Sequence, residues 1–254
     1  MKSLDELKLE DKKIMIFDLD GTLIDSIGVW NMTDQQLIYR YSGTLVDLEY
    51  IQADRDNFLN NNPSGDIYYE YMIYLVKKYN LSITDVDKIY AARAEISNDV
   101  FKNEIEFKPL VSKLIYKMKD MGYTLVLATI STSEQLKIYY CENKKMLSEM
   151  NISEVFDLIT TKETVKNKKP DPEVYLKIMD YLNVKPEDCL VFEDSYTGVL
   201  ASNNAGIEVV NVYDKYSDLD RDKINELTDY RIDSYDEFIE LLDKVYKDNY
   251  VYKK

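Results

Sequence analysis

The sequence predicts an α/β fold, a Rossmann-like parallel sheet core interrupted by an inserted α-helical domain. Three observations carry this. Short apolar runs of strand length recur along the chain and are continuous rather than alternating, as expected for strands covered on both faces. Helical patterns separate these runs, and strand–helix alternation argues for a parallel sheet. One long stretch, residues 26–105, breaks the alternation with helical patterns alone.

Taken in order, residues 1–11 are charged and read as a short helix or tail. Ile14-Met15-Ile16-Phe17 is the first strand. Residues 26–105 then read as about four amphipathic helices, "IYYEYMIYLVKKY" and "TDVDKIYAARAEIS" among them, separated at Ser42-Gly43 and at Pro63-Ser64-Gly65. The expected division is therefore a core of residues 1–25 and 106–254 and an inserted helical domain of 26–105. The core resumes near Pro109. Leu110, Leu114, Ile115 and Met118 form one stripe, which Gly122 closes as a C-terminal cap. Strands are expected at 124–128, 157–160, 189–192 and 209–212, with a weaker one at 230–233. "DPEVYLKIMDYL" is a helix with Pro172 in its first turn and Val174, Ile178 and Leu182 along one face. The C-terminal stretch reads as a last central strand, a helix, an edge strand and a final helix.

Composition narrows the function. The 254 residues carry a net charge of −15, which argues against nucleic acid and anionic membranes as partners. The chain contains no histidine, so every imidazole mechanism is excluded and proton transfer falls to carboxylates, lysine or tyrosine. Cys141 and Cys189 lie far apart with no C-x-x-C pattern, which suits a reducing compartment. With no signal peptide and no apolar run of membrane length, a soluble cytoplasmic protein is expected, monomeric by default.

The first strand runs straight into "DLDGT", and buried unpaired acids at a strand end need compensation. A calcium loop also opens D-x-D-G, but it requires a glutamate at its twelfth position, where Val29 stands here. In an open parallel sheet, ligands bind at the carboxyl ends of the strands. Asp18 and Asp20 lie at the first such end, Thr129 at the second, and Glu193 with Asp194 at the end of 189–192, while the loop "NKKPDPEVY" offers Lys168 and Lys169. Clustered carboxylates suit Mg²⁺, which also binds phosphate oxygens. A hydroxyl and a lysine complete a phosphate cradle. An ionised aspartate can attack phosphorus, and a neighbouring carboxyl can protonate the leaving oxygen.

"DLDGTLIDS", "LATIST", "KKPDPEVY" and "VFEDSYTGVLASNNAG" resemble, in order, the four motifs of the haloacid dehalogenase (HAD) superfamily. The chain is most similar to the β-phosphoglucomutase and phosphoglycolate phosphatase branch, which carries a helical cap after the first motif. The resemblance spans residues 14–206. It implies that Asp18 is the nucleophile and that Asp20 is the general acid and base, with its backbone carbonyl on the metal. It implies that Thr129 hydrogen-bonds the phosphoryl group and that Lys169 neutralises the phosphate and steadies Asp18, with Ile130 and Gly21 completing the phosphate-binding set. Asp194 is expected to bind Mg²⁺, with Glu193 binding directly or through water, so the metal set is Asp18, Asp20, Glu193 and Asp194. Thr22 and Ser195 are supporting residues.

The function implied is a Mg²⁺-dependent phosphatase acting on a small, sugar-phosphate-like metabolite through an aspartyl phosphate. The alternatives are a phosphosugar mutase of the β-phosphoglucomutase type and a non-catalytic HAD-like binding protein. Asp20 and the Glu193-Asp194 pair argue against dehalogenation. The missing histidine argues against the mutase, whose cap uses one. The position before Lys169, usually glycine in this branch, is Lys168, which leaves the inward-facing lysine open; Lys169 is favoured because it immediately precedes Pro170. In the inserted domain, Trp30 reads first as a packing residue and second as a pocket wall, and its seven bases, Arg55 and Arg93 among them, read mainly as surface charges.

Overall fold

A computed structural model describes residues 1–62 and 67–251. Residues pack into two compact units, Met1–Asp25 with Glu106–Lys254, and Ser26–Ile105. In chain order the strands and α-helices are β1 (Ile14–Phe17), α1 (Val29–Ser42), α2 (Leu48–Asn61), α3 (Ile67–Tyr79), α4 (Val86–Asn103), α5 (Val111–Asp120), β2 (Thr124–Ala128), α6 (Ser133–Cys141), α7 (Lys144–Glu149), α8 (Ile152–Val155), β3 (Leu158–Thr160), α9 (Glu173–Leu182), β4 (Cys189–Glu193), α10 (Tyr196–Asn204), β5 (Glu208–Val212), α11 (Arg221–Leu227), β6 (Tyr230–Ile232) and α12 (Tyr235–Val251). Among the described residues, no helix is long and apolar enough to cross a membrane.

The larger unit is built on a six-stranded sheet of order β3-β2-β1-β4-β5-β6 in which every pair is parallel. All four residues of β1 are buried. Alternate strand side chains serve opposite faces. Ile14, Ile16, Val126, Ala128 and Val191 join Val174, Tyr175 and Ile178 of α9 and Val199 and Ala201 of α10 in one core. On the other face Phe17 stacks on Phe192 with ring centroids 4.5 Å apart, and Phe192 meets Phe238 of α12 edge-on. Burial on both faces explains the unbroken apolar runs. The chain order reverses at β1, which lies between β2 and β4. That switch point is where a parallel sheet opens a crevice at its carboxyl edge.

The expected stripe on α5 is corrected at its first member. Leu110 lies outside the helix in the left-handed region, with φ 68°, and is exposed. The turn closed by the Val111 N–H on the Lys108 carbonyl turns Leu110 outward, so Val111 leads the buried stripe with Leu114, Ile115 and Met118. Gly122 has φ 88°, as a helix-ending glycine should. Residues 1–11 form two short 3-10 turns that bury Leu7 and Leu9.

The smaller unit holds α1 to α4. Gly43 ends α1 at φ 72°, and the Pro63-Ser64-Gly65 breaker lies outside the described residues. At the centre of this unit, buried Asp34 accepts from Arg93 Nε at 2.7 Å and from the Tyr71 hydroxyl at 3.1 Å. Trp30 meets Phe101 edge-on, and the Arg93 guanidinium lies 4.7 Å from its ring centre. The indole thus packs within the unit while remaining 42% exposed.

Candidate active site

The strand ends bring most of the sequence-predicted residues together. The Asp18 N–H donates to the Phe192 carbonyl, which extends the β1–β4 pairing by one residue and places the Asp18 carboxylate at the strand tip. Lys169 reaches it from the loop before α9. The Lys169 Nζ donates to Asp18 Oδ1 at 2.7 Å, to Glu193 Oε1 at 2.7 Å and to the Ala128 carbonyl at 3.0 Å. The side chains of Lys169, Asp18 and Glu193 are only 3%, 10% and 1% exposed, so this is a desolvated triad. Lys168 is exposed, which resolves the lysine left open by the sequence.

The neighbouring groups are held as firmly. Glu193 Oε2 accepts from the Ser195 N–H at 3.0 Å and from its hydroxyl at 3.1 Å. The Ser195 hydroxyl also caps α10 by accepting from the Gly198 N–H. Asp194 Oδ1 accepts from the Thr22 hydroxyl at 2.7 Å. Gly21 makes the turn after Asp20 at φ 83°, and a Cβ there would fall 2.5 Å from Asp194 Oδ2. Only glycine supplies both the conformation and the space. Thr129 is buried at the β2 tip, its hydroxyl accepting from the Ser131 N–H at 3.0 Å. Ile130, the next residue, is 45% exposed. Asp20 is turned toward Ser131, whose hydroxyl donates to Asp20 Oδ2 at 2.6 Å.

The family model described as haloacid dehalogenase-like hydrolase matches residues 15–212. The chain belongs to this family. The phosphorylated carbohydrates phosphatase of Thermotoga maritima is 38% identical to this HAD-like hydrolase over 109 residues, 43% of this chain and 47% of the relative. The fructose-1-phosphate phosphatase YqaB of Escherichia coli is 24% identical over 198 residues, 78% of this chain and 95% of the relative. A solved structure of a candidate β-phosphoglucomutase from Thermotoga maritima matches with a TM-score of 0.72 at 25% identity, covering 92% of this chain and 99% of that one. These findings agree with the branch that the four motifs resemble and with the expected enzyme class, a phosphoric monoester hydrolase.

The electrostatics of the HAD-like site are those of a candidate cation site. Asp18, Glu193 and Asp194 each offer an oxygen within 4.8 Å of the other two, and all three residues are buried. Burial pushes the Asp18 carboxyl up to about 7, against the pull of the Lys169 ammonium and with further push from Glu193 and Asp20. Burial raises Asp194 well above the ordinary carboxylate range, and the charges of Glu193 and Asp18 add to it. Burial alone would lower Lys169, but Asp18 and Glu193 outweigh it and keep the ammonium charged. The Lys169 ammonium thus pairs with two of these three carboxylates, Asp18 and Glu193. An oxygen-only donor set with surplus negative charge fits a hard divalent cation such as Mg²⁺. The Asp20 carboxylate is not one of these three.

Sequence reasoning missed several residues that hold the site. Ser131 lay unremarked within "LATIST". Asn211 of β5 is fully buried and donates to the carbonyls of Glu193 at 2.9 Å and Asp194 at 3.3 Å, while its own carbonyl accepts from Arg221. The Tyr235 hydroxyl donates to the Thr22 carbonyl. Gly198 did leave a signal, since glycine inside a helical stretch calls for a reason. A Cβ at that position would sit 1.6 Å from Glu193 Oε1.

Proposed function

We propose that this HAD-like hydrolase is a Mg²⁺-dependent phosphatase that hydrolyses a small, sugar-phosphate-like metabolite through an aspartyl phosphate on Asp18. The observation that carries the reading is Asp18 at the β1 tip, bound by Lys169 and flanked by Glu193 and Asp194. Asp18, Glu193 and Asp194, with the Asp20 carbonyl implied by the family resemblance, would hold Mg²⁺, which supplies positive charge for the carboxylates and for phosphate oxygens.

The protein groups then divide the work. Lys169 keeps its charge and favours the ionised, nucleophilic form of Asp18. Asp18 forms a bond to phosphorus as the ester P–O bond breaks, and the departing oxygen takes a proton from Asp20. Asp20, now a carboxylate, takes a proton from water as that water attacks phosphorus and releases Asp18. Thr129, Ile130, Gly21 and Lys169 are assigned to the phosphate. In this reading residues 1–25 and 106–254 form the catalytic core and residues 26–105 the specificity-giving cap. A sugar phosphate is favoured because two relatives are named for phosphorylated carbohydrates. The mutase reading draws on fold likeness to a candidate β-phosphoglucomutase, but a chain without histidine lacks the cap histidine of that type.

The test is phosphate release from a panel of small phosphate esters with Mg²⁺ and with EDTA. The expected result is Mg²⁺-dependent release that is highest on sugar phosphates and abolished by Asp18→Asn. Release that survives Asp18→Asn would sink the assignment.

A further inference from the structure

The loop after β2 contributes Thr129 to the proposed chemistry and leaves Ser131 without a part in it, although Ser131 touches the acid directly. Its hydroxyl donates to Asp20 Oδ2 at 2.6 Å. That is a short, well-formed O–H···O hydrogen bond. The Ser131 backbone is anchored on both sides: its N–H donates to Thr129 Oγ1 at 3.0 Å, and its carbonyl accepts from the Lys162 N–H at 3.0 Å. The next residue, Thr132, caps α6 by accepting from the Gln135 N–H. The hydroxyl is therefore presented to Asp20 from a loop tied to the β2 tip, to the segment after β3 and to a helix.

We propose that Ser131 is a positioning residue that orients Asp20 as general acid and fixes which carboxyl oxygen delivers the proton. The proposal rests on the phosphatase reading above. With the Ser131 hydroxyl donating to Oδ2, a proton on the carboxyl is best placed on Oδ1, because a protonated Oδ2 is the poorer acceptor. Ser131 thus directs the acidic proton away from the loop. It also ties the aim of Asp20 to Thr129, the residue assigned to the phosphoryl group. As the ester bond breaks, the proton on Oδ1 passes to the departing oxygen and leaves Asp20 ionised, still held at Oδ2. In the second half-reaction the same oxygen receives the proton of the attacking water.

The role predicts a dependence on the leaving group that a phosphate ligand or a purely structural serine would not show. A nitrophenolate leaves without protonation, whereas an alkoxide requires it. The experiment measures kcat/KM, which for either ester covers the steps up to alcohol release, on p-nitrophenyl phosphate and on an alkyl phosphate. The ratio of the two values within one protein sample does not depend on the folded fraction. For Ser131→Ala, kcat/KM on the alkyl ester should fall roughly tenfold or more while that on p-nitrophenyl phosphate stays within about twofold. Ser131→Thr, which keeps a hydroxyl, should restore the ratio. An equal fall on both esters, or no fall on either, would overturn the proposal while leaving the phosphatase reading intact. A parent protein that hydrolyses neither ester in Mg²⁺ would instead bring down that reading.

Discussion

Asp18 can attack phosphorus only as a carboxylate, yet burial pushes its carboxyl up to about 7. An aspartate in the unfolded chain titrates near 3.9. Without a divalent cation, the folded protein therefore holds a proton that the unfolded chain has already released between about pH 4 and pH 7. The stability linked to Asp18 is full below the unfolded value and is lost as pH rises through about 7. Asp194, raised by the same causes, acts in the same direction. A cation bound by the deprotonated oxygens offsets this loss, so its effect should grow with pH. In calorimetry, the gain in Tm from saturating Mg²⁺ over EDTA should be small near pH 5 and larger near pH 8. A gain that is equal at both pH values, or larger in acid, would mean that these carboxylates do not form the Mg²⁺ site.

At the scale of the element, helix α10 shows packing overriding propensity. Alanine usually exceeds glycine in a helix interior by about 1 kcal/mol. At Gly198, however, the added methyl would overlap the Glu193 carboxylate that holds Lys169. Gly198→Ala should therefore destabilise the protein, by about 1–3 kcal/mol in urea unfolding, and reduce turnover as Glu193 is displaced. A stabilised Gly198→Ala protein with full activity would contradict the packing described. This also marks what a sequence reveals. The strand tips bearing Asp18, Thr129 and Glu193-Asp194 were legible because apolar runs end abruptly on polar residues. Lys169 was legible from its motif, but its exclusive inward position was not, since Lys168 is chemically the same. The roles of Ser131 and Asn211 were hidden because each depends on a partner distant in sequence; Ser131 and Asp20 are 111 positions apart. Leu110 was misread because helical spacing does not reveal a left-handed turn one residue before the helix.

Across the whole molecule, a chain of net charge −15 gathers three buried carboxylates, two of them paired with the Lys169 ammonium, at the point where strand order reverses. The surplus negative charge destabilises the fold, and a bound cation would offset it. The switch point accounts for its location: β1 lies between β2 and β4, so the tips carrying Asp18, Thr129 and Glu193-Asp194 are neighbours although far apart in sequence. The central claim is that Asp18 becomes phosphorylated during turnover, and it is tested most directly by trapping the phosphoenzyme. Asp20→Asn removes the base that drives hydrolysis of the aspartyl phosphate while leaving the nucleophile in place. Rapid acid quench of this variant with p-nitrophenyl phosphate and Mg²⁺, followed by peptide mass spectrometry, should show one phosphoryl group on the peptide containing Asp18, and none when Asp18→Asn is added. A phosphoryl group elsewhere, or none despite a burst of nitrophenolate, would contradict the account.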